Sequence, residues 1–268
     1  MPRVSVIVPV HKANPVWLRQ AIDSLLRQTF ADLEVVVVED APAQFADDRV
    51  RHLVNPNPGL GPALNFALER CTSPLIARLD ADDIAEPDRI EKQVALFDAA
   101  PSLAVAGSQL LVIDAEGRPI ATRAYPTAHD DIVAALQRYN AIAHPAVMFR
   151  RDVVAAAGGY PATSAGEDYD LWCRLAARGA RFANHPEPLT RYRLHPGLTR
   201  ANVARAIRAT IEIKQRNFGR SLTPRARLRI LGERLLLLLP RRLVSALFRM
   251  TQLRAIRRRA APCGERSS

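Results

Sequence analysis

Asp80-Ala81-Asp82-Asp83 sets three carboxylates within four residues, directly after the apolar run Leu75-Ile76-Ala77-Arg78-Leu79. Like charges at that spacing repel, and a divalent cation relieves the repulsion. Mg²⁺ and Mn²⁺ take oxygen ligands and commonly bridge one or two carboxylates to a substrate's phosphates. The residues alone leave two readings. One is a metal–diphosphate site; the other is a solvated acidic turn ahead of a helix starting at Glu86-Pro87-Asp88, with proline in its first turn. A second acidic pair, Glu167-Asp168, heads a stretch in which Asp168, Leu171, Trp172 and Leu175 recur at helical spacing, with Arg174 and Arg178 on another face. Carboxylates at a helix's amino end complement its dipole and commonly cap it, so this pair also has a structural reading.

The elements that must position these groups read as alternating strand and helix. Val4-Ser5-Val6-Ile7-Val8-Pro9-Val10 is rich in β-branched residues and reads as a buried strand ending near its proline. Trp17, Leu18, Ala21, Ile22, Leu25 and Leu26 then repeat at helical spacing, which predicts an amphipathic helix over about 15–28. Leu33 to Val38 is a second apolar run, and it too ends in acids, Glu39-Asp40. Strand, helix, strand is a βαβ unit, which implies a parallel sheet with right-handed crossovers. Two neighbouring strands thus deliver carboxylates to one edge, the carboxyl ends where open α/β sheets hold ligands. Further on, Asn55 to Pro62 is a turn-rich loop leading into an apolar helix over 63–69. Its glycines allow close backbone approach to a phosphate, but it has no Walker lysine and no dinucleotide fingerprint. Leu103 to Val112, Asp114-Ala115-Glu116-Gly117 and Pro119 to Arg123 predict a hairpin on a mixed sheet.

These residues resemble the family 2, GT-A fold, glycosyltransferases of bacterial surface-polysaccharide type. The likeness runs through Val4–Val10, Ser24–Phe30, Val37–Asp40 and Leu79–Asp83 with Pro87, Arg89 and Gln93. It continues in Ala143-His144-Pro145-Ala146-Val147-Met148-Phe149-Arg150, in Gly166 to Leu175 and in Arg191-Tyr192-Arg193-Leu194-His195-Pro196. It covers roughly residues 3–200, in order and with similar spacing.

The resemblance implies an α/β GT-A catalytic domain over 1–200 that takes a nucleotide-diphosphate sugar, with a UDP-sugar the expected donor. Pro9, Val10 and His11 would line the base pocket, and Glu39 and Asp40 would contact base or ribose, since a carboxylate accepts hydrogen bonds from a ring N–H or ribose hydroxyls. The chain departs from the family here: Glu39-Asp40-Ala41-Pro42 stands where two aspartates, glycine and serine are usual. Asp80 and Asp82 would face ribose and diphosphate, Asp82 and Asp83 would contact Mg²⁺ or Mn²⁺, and His195 would reach back to the metal or diphosphate. The metal's task would be to stabilise negative charge on the departing nucleoside diphosphate. Asp168 would be the general base that deprotonates an acceptor hydroxyl in an inverting displacement, with Glu167 beside it a substrate-binding residue. The helix terminus and a metal would lower the Asp168 pKa while Glu167 and Asp170 would raise it. His144 reads as a packed or capping histidine beneath the acceptor site, and Ala157 to Pro161 as a mobile segment or an ordinary turn beside it. The Gln-x-x-Arg-Trp block of processive relatives is absent after Asp168, which implies non-processive transfer to a glycan or lipid-linked acceptor.

Composition divides the chain at about residue 200. Residues 1–200 hold 21 Lys/Arg and 24 Asp/Glu, a net of −3, whereas residues 201–268 hold 17 and 3, a net of +14. The basic extension reads as helices over 203–218, 224–239 and 241–259, broken at Pro224 and Pro240. Leu235 to Leu239 is far short of the ~20 apolar residues that a spanning helix needs. Apolar and arginine-rich faces over 241–259 suit an anionic membrane surface, with a packed helical subdomain the alternative and nucleic acid the least favoured partner. Cys71, Cys173 and Cys263 are too widely spaced for a disulfide framework or a zinc site, which fits a reducing cytoplasm. The start reads as lacking a signal peptide, so the expected location is cytoplasmic, on the inner face of the cell membrane. Against the enzyme stand a catalytically silent nucleotide-sugar-binding protein and a nucleotidyltransferase. The latter lacks its glycine-rich basic loop, since the first strand runs into Pro9-Val10-His11-Lys12-Ala13.

Overall fold

The apolar runs become the strands of one mixed sheet with helices on both faces. A computed structural model describes residues 1–39, 45, 47–57, 59–162, 165–194 and 203–239. Strands β1 (Val4–Val10), β2 (Leu33–Glu39), β3 (Val50–Val54) and β4 (Leu75–Arg78) run parallel in the order β3-β2-β1-β4. The sheet continues through the short β8 (Met148–Arg150), then β6 (Leu103–Ile113), β9 (Arg181–Arg193) and the two-residue β5 (Ile84–Ala85). Strand β8 is antiparallel to β4 and β6, β9 is parallel to β6, and β7 (Pro119–Arg123) closes the expected hairpin on β6.

The two faces have separate cores. Val4, Val6 and Val8 of β1 point to one, with Leu18, Ala21, Ile22 and Leu25 of α1 (Pro15–Leu26) and Ile90, Val94 and Phe97 of α3 (Arg89–Ala99). Ile7 points to the other, with Leu64 and Ala67 of α2 (Leu60–Arg70), Ile132 of α4 (His129–Leu136), Val154 of α5 (Arg151–Ala156) and Leu171 and Trp172 of α6 (Glu167–Ala177). Burial on both faces is why β1 and β2 read as continuous apolar runs rather than as alternation. Helix α1 starts where Asn14 Oδ1 accepts from Val16 N at 2.9 Å and Pro15 occupies the first turn.

Three expectations change. Helix α3 begins at Arg89, after β5, so Pro87 lies outside it, and the acidic cluster does not lead straight into a helix. The second helix starts three residues earlier than expected, at Leu60. The Ala157–Pro161 segment is clamped: Asn65 Nδ2 donates to Tyr160 O and Asn65 Oδ1 accepts from Tyr160 N, both at 2.8 Å, while Arg174 Nη2 donates to Gly159 O at 2.6 Å. Gly61 lets α2 approach this turn, because a Cβ there would stand 2.5 Å from Pro161 O. Gly61→Ala should therefore destabilise the protein by about 1–3 kcal/mol, the usual cost of overpacking a site that cannot yield. Chemical denaturation would read that loss, and an unchanged midpoint would show that the turn yields.

The first two helices of the extension are packed rather than free. Helices α7 (Val203–Phe218) and α8 (Pro224–Leu237) and the turn between them put Ile211, Ile213, Phe218, Leu222, Ala226 and Ile230 into the same core as Trp172. Lys214 is fully buried, with its ammonium 2.8 Å from both Glu233 oxygens. The expected helix over 241–259 lies outside the described residues. Among those described, no helix is long and apolar enough to cross a membrane.

Candidate active site

A cavity of about 630 Å³ opens at the carboxyl ends of β1, β2 and β4. Pro9, Val10, His11, Glu39, Asp80 and Asp82 all line it, so six of the expected donor-site residues meet on one wall system. Asp40 and His195 lie outside the described residues. Trp17, Asn55 and Gly59 also line the cavity, the last two from the turn-rich loop before α2. Glu39 has one carboxylate oxygen 3.0 Å from His52 Nδ1 on β3.

The acidic cluster is built by local turn and distant strand together. Asp83 N donates to Asp80 O at 3.2 Å, which curls the segment and brings oxygens of Asp80, Asp82 and Asp83 within 4.8 Å of one another. Asp83 is fully buried: Oδ1 accepts from Arg193 N at 2.8 Å, and Oδ2 is buried without a partner among the described residues. Burial first, then the charges of Asp80 and Asp82, push the Asp83 carboxyl well above the usual range. An orphaned buried oxygen beside two further carboxylates is the donor set of a hard divalent ion, so the residues fit Mg²⁺ or Mn²⁺. Arg193 also holds the loop from the other side: Nε donates to Asp82 O, Nη1 to Ala115 O and Nη2 to Gln20 Oε1, each at 2.8 Å.

Behind the cluster stands a buried arginine that the sequence reading passed over. Arg78 Nη1 donates to Asp80 Oδ2 at 2.7 Å, and Nη2 pairs with the other oxygen. Its signal was present, since a charged residue two positions before Asp80 in an apolar strand shares its face. Arg78 in turn is held by α3. The fully buried Arg89 donates from Nη2 to Arg78 O at 2.7 Å and from Nη1 to Pro145 O at 3.0 Å, while Gln93 Nε2 donates to Ala146 O at 2.9 Å. Arg89 and Gln93 thus brace the backbone behind the site instead of touching a ligand.

Asp168 sits in the first turn of α6, half-buried, with Gly166 at the N-cap in the left-handed conformation, φ 75°. Neither acid is the cap residue. Asn140 Nδ2 donates to Asp168 Oδ2 at 2.6 Å from the loop after α4, a contact no local pattern announces. Burial raises the Asp168 carboxyl, while backbone N–H groups of the helix terminus, Asn140 and the charge of Arg78 pull it down, and burial wins. Glu167 is raised too, by burial and then by Asp168. His144 Nε2 lies 3.1 Å from Tyr160 Oη, and burial with the charge of Arg78 holds the imidazole far below its usual pKa, so it is neutral and structural. Removing the Asn140 bond should raise Asp168 further. In Asn140→Ala the acid side of a pH–rate profile should move to higher pH, and an unmoved profile would detach Asp168 from the rate.

A sequence model of glycosyl transferase family 2 matches residues 5–156. The amylovoran biosynthesis glycosyltransferase AmsE of Erwinia amylovora is 35% identical over 201 residues, 70% of this chain and 75% of the relative. The O-antigen biosynthesis glycosyltransferase WbnJ of Escherichia coli is 33% identical over 205 residues, 72% and 80% of the two chains. An Escherichia coli UDP-Gal:alpha-D-GlcNAc-diphosphoundecaprenol beta-1,3-galactosyltransferase is 27% identical over 195 residues, 68% and 71% of the two. The fold is shared with the mannosyltransferase PcManGT of Pyrobaculum calidifontis, solved with GDP-Man and Mn²⁺, at a TM-score of 0.57 and 20% identity over 97% of this chain and 76% of that one. Because the family match spans more than half of the chain and includes the strands that carry Glu39 and Asp80–Asp83, this protein belongs to the family 2 glycosyltransferases and has their GT-A fold.

Proposed function

We propose that the protein moves a sugar from a nucleotide-diphosphate donor, a UDP-sugar, to a hydroxyl of a glycan or lipid-linked acceptor in surface-polysaccharide synthesis. Transfer is metal-dependent, inverting and non-processive, and residues 1–200 carry the reaction. The observation that carries this reading is the orphaned, buried Asp83 oxygen gathered with Asp80 and Asp82, both of which line the large cavity. Asp82 and Asp83 would hold Mg²⁺ or Mn²⁺, with His195 a further candidate ligand. The bound ion would neutralise charge on the leaving diphosphate. Pro9, Val10 and His11 take the base, and Glu39, Asp40, Asp80 and Asp82 take base, ribose and diphosphate. Asp168 accepts the proton of the attacking hydroxyl, Glu167 contacts the acceptor, and Asn140 orients the base.

The Escherichia coli galactosyltransferase named above supports both the UDP donor and a diphosphate-linked lipid acceptor. A silent binding protein is not favoured, because the relatives are named as glycosyltransferases. The protein works on the cytoplasmic face of the membrane, where Leu228, Leu231 and Leu235 stand exposed at helical spacing among Arg225, Arg227 and Arg234 and would meet anionic lipid. Melting the protein with UDP, GDP, dTDP and CMP, each with and without Mn²⁺, tests the donor site. A metal-dependent rise with UDP is expected, and no rise with any of the four would overturn the reading. Flotation with anionic vesicles at low salt tests the membrane contact, which fails if the protein stays with the soluble fraction.

A further inference from the structure

A second cavity, of about 320 Å³, opens beside the helix that carries Asp168. Arg205, Arg208 and Arg216 of α7 line it, with Glu212 among them and Ala165 and Ile213 at its edge. Positions 205, 208, 212 and 216 are three or four apart, so one side of α7 faces the cavity. None of its lining residues belongs to the large donor cavity.

Packing ties this cavity to the base. Ala165 directly precedes Gly166, and Ile213 Cδ1 lies 3.0 Å from where a Gly166 Cβ would stand. Arg216 pairs with Asp170 of α6, a buried carboxylate that also accepts from Asn217 Nδ2 and Arg174 Nε, each at 3.0 Å. The cavity wall and the first turn of α6 are therefore one braced unit. With Arg216 paired to Asp170, Arg205 and Arg208 against Glu212 leave the described lining positive. Guanidinium forks match phosphate oxygens in paired hydrogen bonds, and a positive cavity with no carboxylate cluster suits an anion that arrives without its own metal.

We propose that this cavity binds the diphosphate of a lipid-linked acceptor through Arg205 and Arg208, while the acceptor's sugar hydroxyl reaches Asp168. The inference rests on the lipid-linked-acceptor reading above and adds a place for the acceptor's phosphates. It assigns the basic extension a part in choosing the acceptor, apart from any contact with bulk membrane.

Two measurements on the full chain test it. Calorimetric titration of inorganic diphosphate and of farnesyl diphosphate, in EDTA so that metal-assisted donor-site binding is suppressed, should show binding to wild type and to Asp82→Asn/Asp83→Asn. The affinity should fall at least tenfold in Arg205→Ala/Arg208→Ala, a variant that leaves Arg216 on Asp170. Equal affinity in the arginine variant and wild type overturns the proposal, as does loss confined to the aspartate variant, which would put the anion in the donor site. In the second measurement, kcat/KM is compared for one sugar presented on a lipid diphosphate and on a simple alkyl glycoside. The preference for the diphosphate should fall at least tenfold in the arginine variant, through KM, and an unchanged preference overturns the assignment. If wild type binds farnesyl diphosphate through the arginines yet transfers sugar to neither acceptor, the transferase reading fails and the anion site stands.

Discussion

Asp168→Asn is expected to cut sugar transfer by about 10³-fold, or about 4 kcal/mol of barrier, within the range for removing a positioned general base. The amide is isosteric and can still present an oxygen to Asn140 Nδ2, which now lies 2.6 Å from the carboxylate, so α6 should keep its place. What the amide lacks is the capacity to take a proton from the attacking hydroxyl. Nucleotide-dependent stabilisation should be untouched, because the lining of the proposed donor cavity does not include residue 168. The pH dependence has a definite sign. As the proposed base, Asp168 would work deprotonated, and burial raises its pKa, so the rate of the wild type should climb with pH through a value above the ordinary carboxylate range. Steady-state rates on purified wild type and variant would check this, and a variant within tenfold of wild type would remove Asp168 from the chemistry.

Asp82→Asn/Asp83→Asn should abolish the metal-dependent stabilisation by nucleotide. At a ligand concentration one hundred times its dissociation constant, binding contributes about 2.7 kcal/mol. For a chain of this size that is a melting shift of about 5–10 °C, so its loss is easily read. The metal-free protein should respond in the opposite direction. Asp83 is buried with one oxygen unpartnered and two carboxylates close by, and its folded pKa is raised. A carboxyl that holds its proton more tightly when folded destabilises the fold as pH rises from its unfolded value to its folded one. At neutral pH the single Asp83→Asn change removes that penalty while an amide oxygen still accepts from Arg193 N. Its metal-free melting temperature should exceed that of wild type. If it falls instead, Asp83 is a structural anchor for β9 and not a strained ligand waiting for a cation.

The proposed donor half of the site was legible because its signals are local. An apolar run followed by Asp80-Ala81-Asp82-Asp83 states both strand and edge, and a βαβ unit fixes which edge the next strand shares. Pro9, Val10, Glu39, Asp80 and Asp82 met at one cavity for that reason. Arg78 was legible in principle, by the period of two that puts it on the face of Asp80, but a lone charge in a strand carries no stated partner. The proposed acceptor half was less open. Asn140 reaches Asp168 across 28 residues and Asn65 reaches Tyr160 across 95. Neither asparagine sits in a pattern that a period of two or 3.6 would reveal.

The chain by itself determined the strands β1, β2 and β4, the β6–β7 hairpin, the helices α1, α7 and α8, the carboxylate edge, the family and the division of charge between an acidic body and a basic tail. Those follow from hydrophobic period, turn residues and charge counted along one dimension. Only the tertiary structure decided that Arg193 braces the acidic loop, that Arg89 and Gln93 brace the backbone behind it, and that the glycine-rich turn at 157–161 is clamped. It also decided that α7 packs on α6 through the Asp170 cluster, and α8 on α7 through the pair of buried Lys214 with Glu233. Each of these depends on which distant carbonyl or carboxylate ends up buried and must be paired. That demand arises only once the layers have closed and water has left.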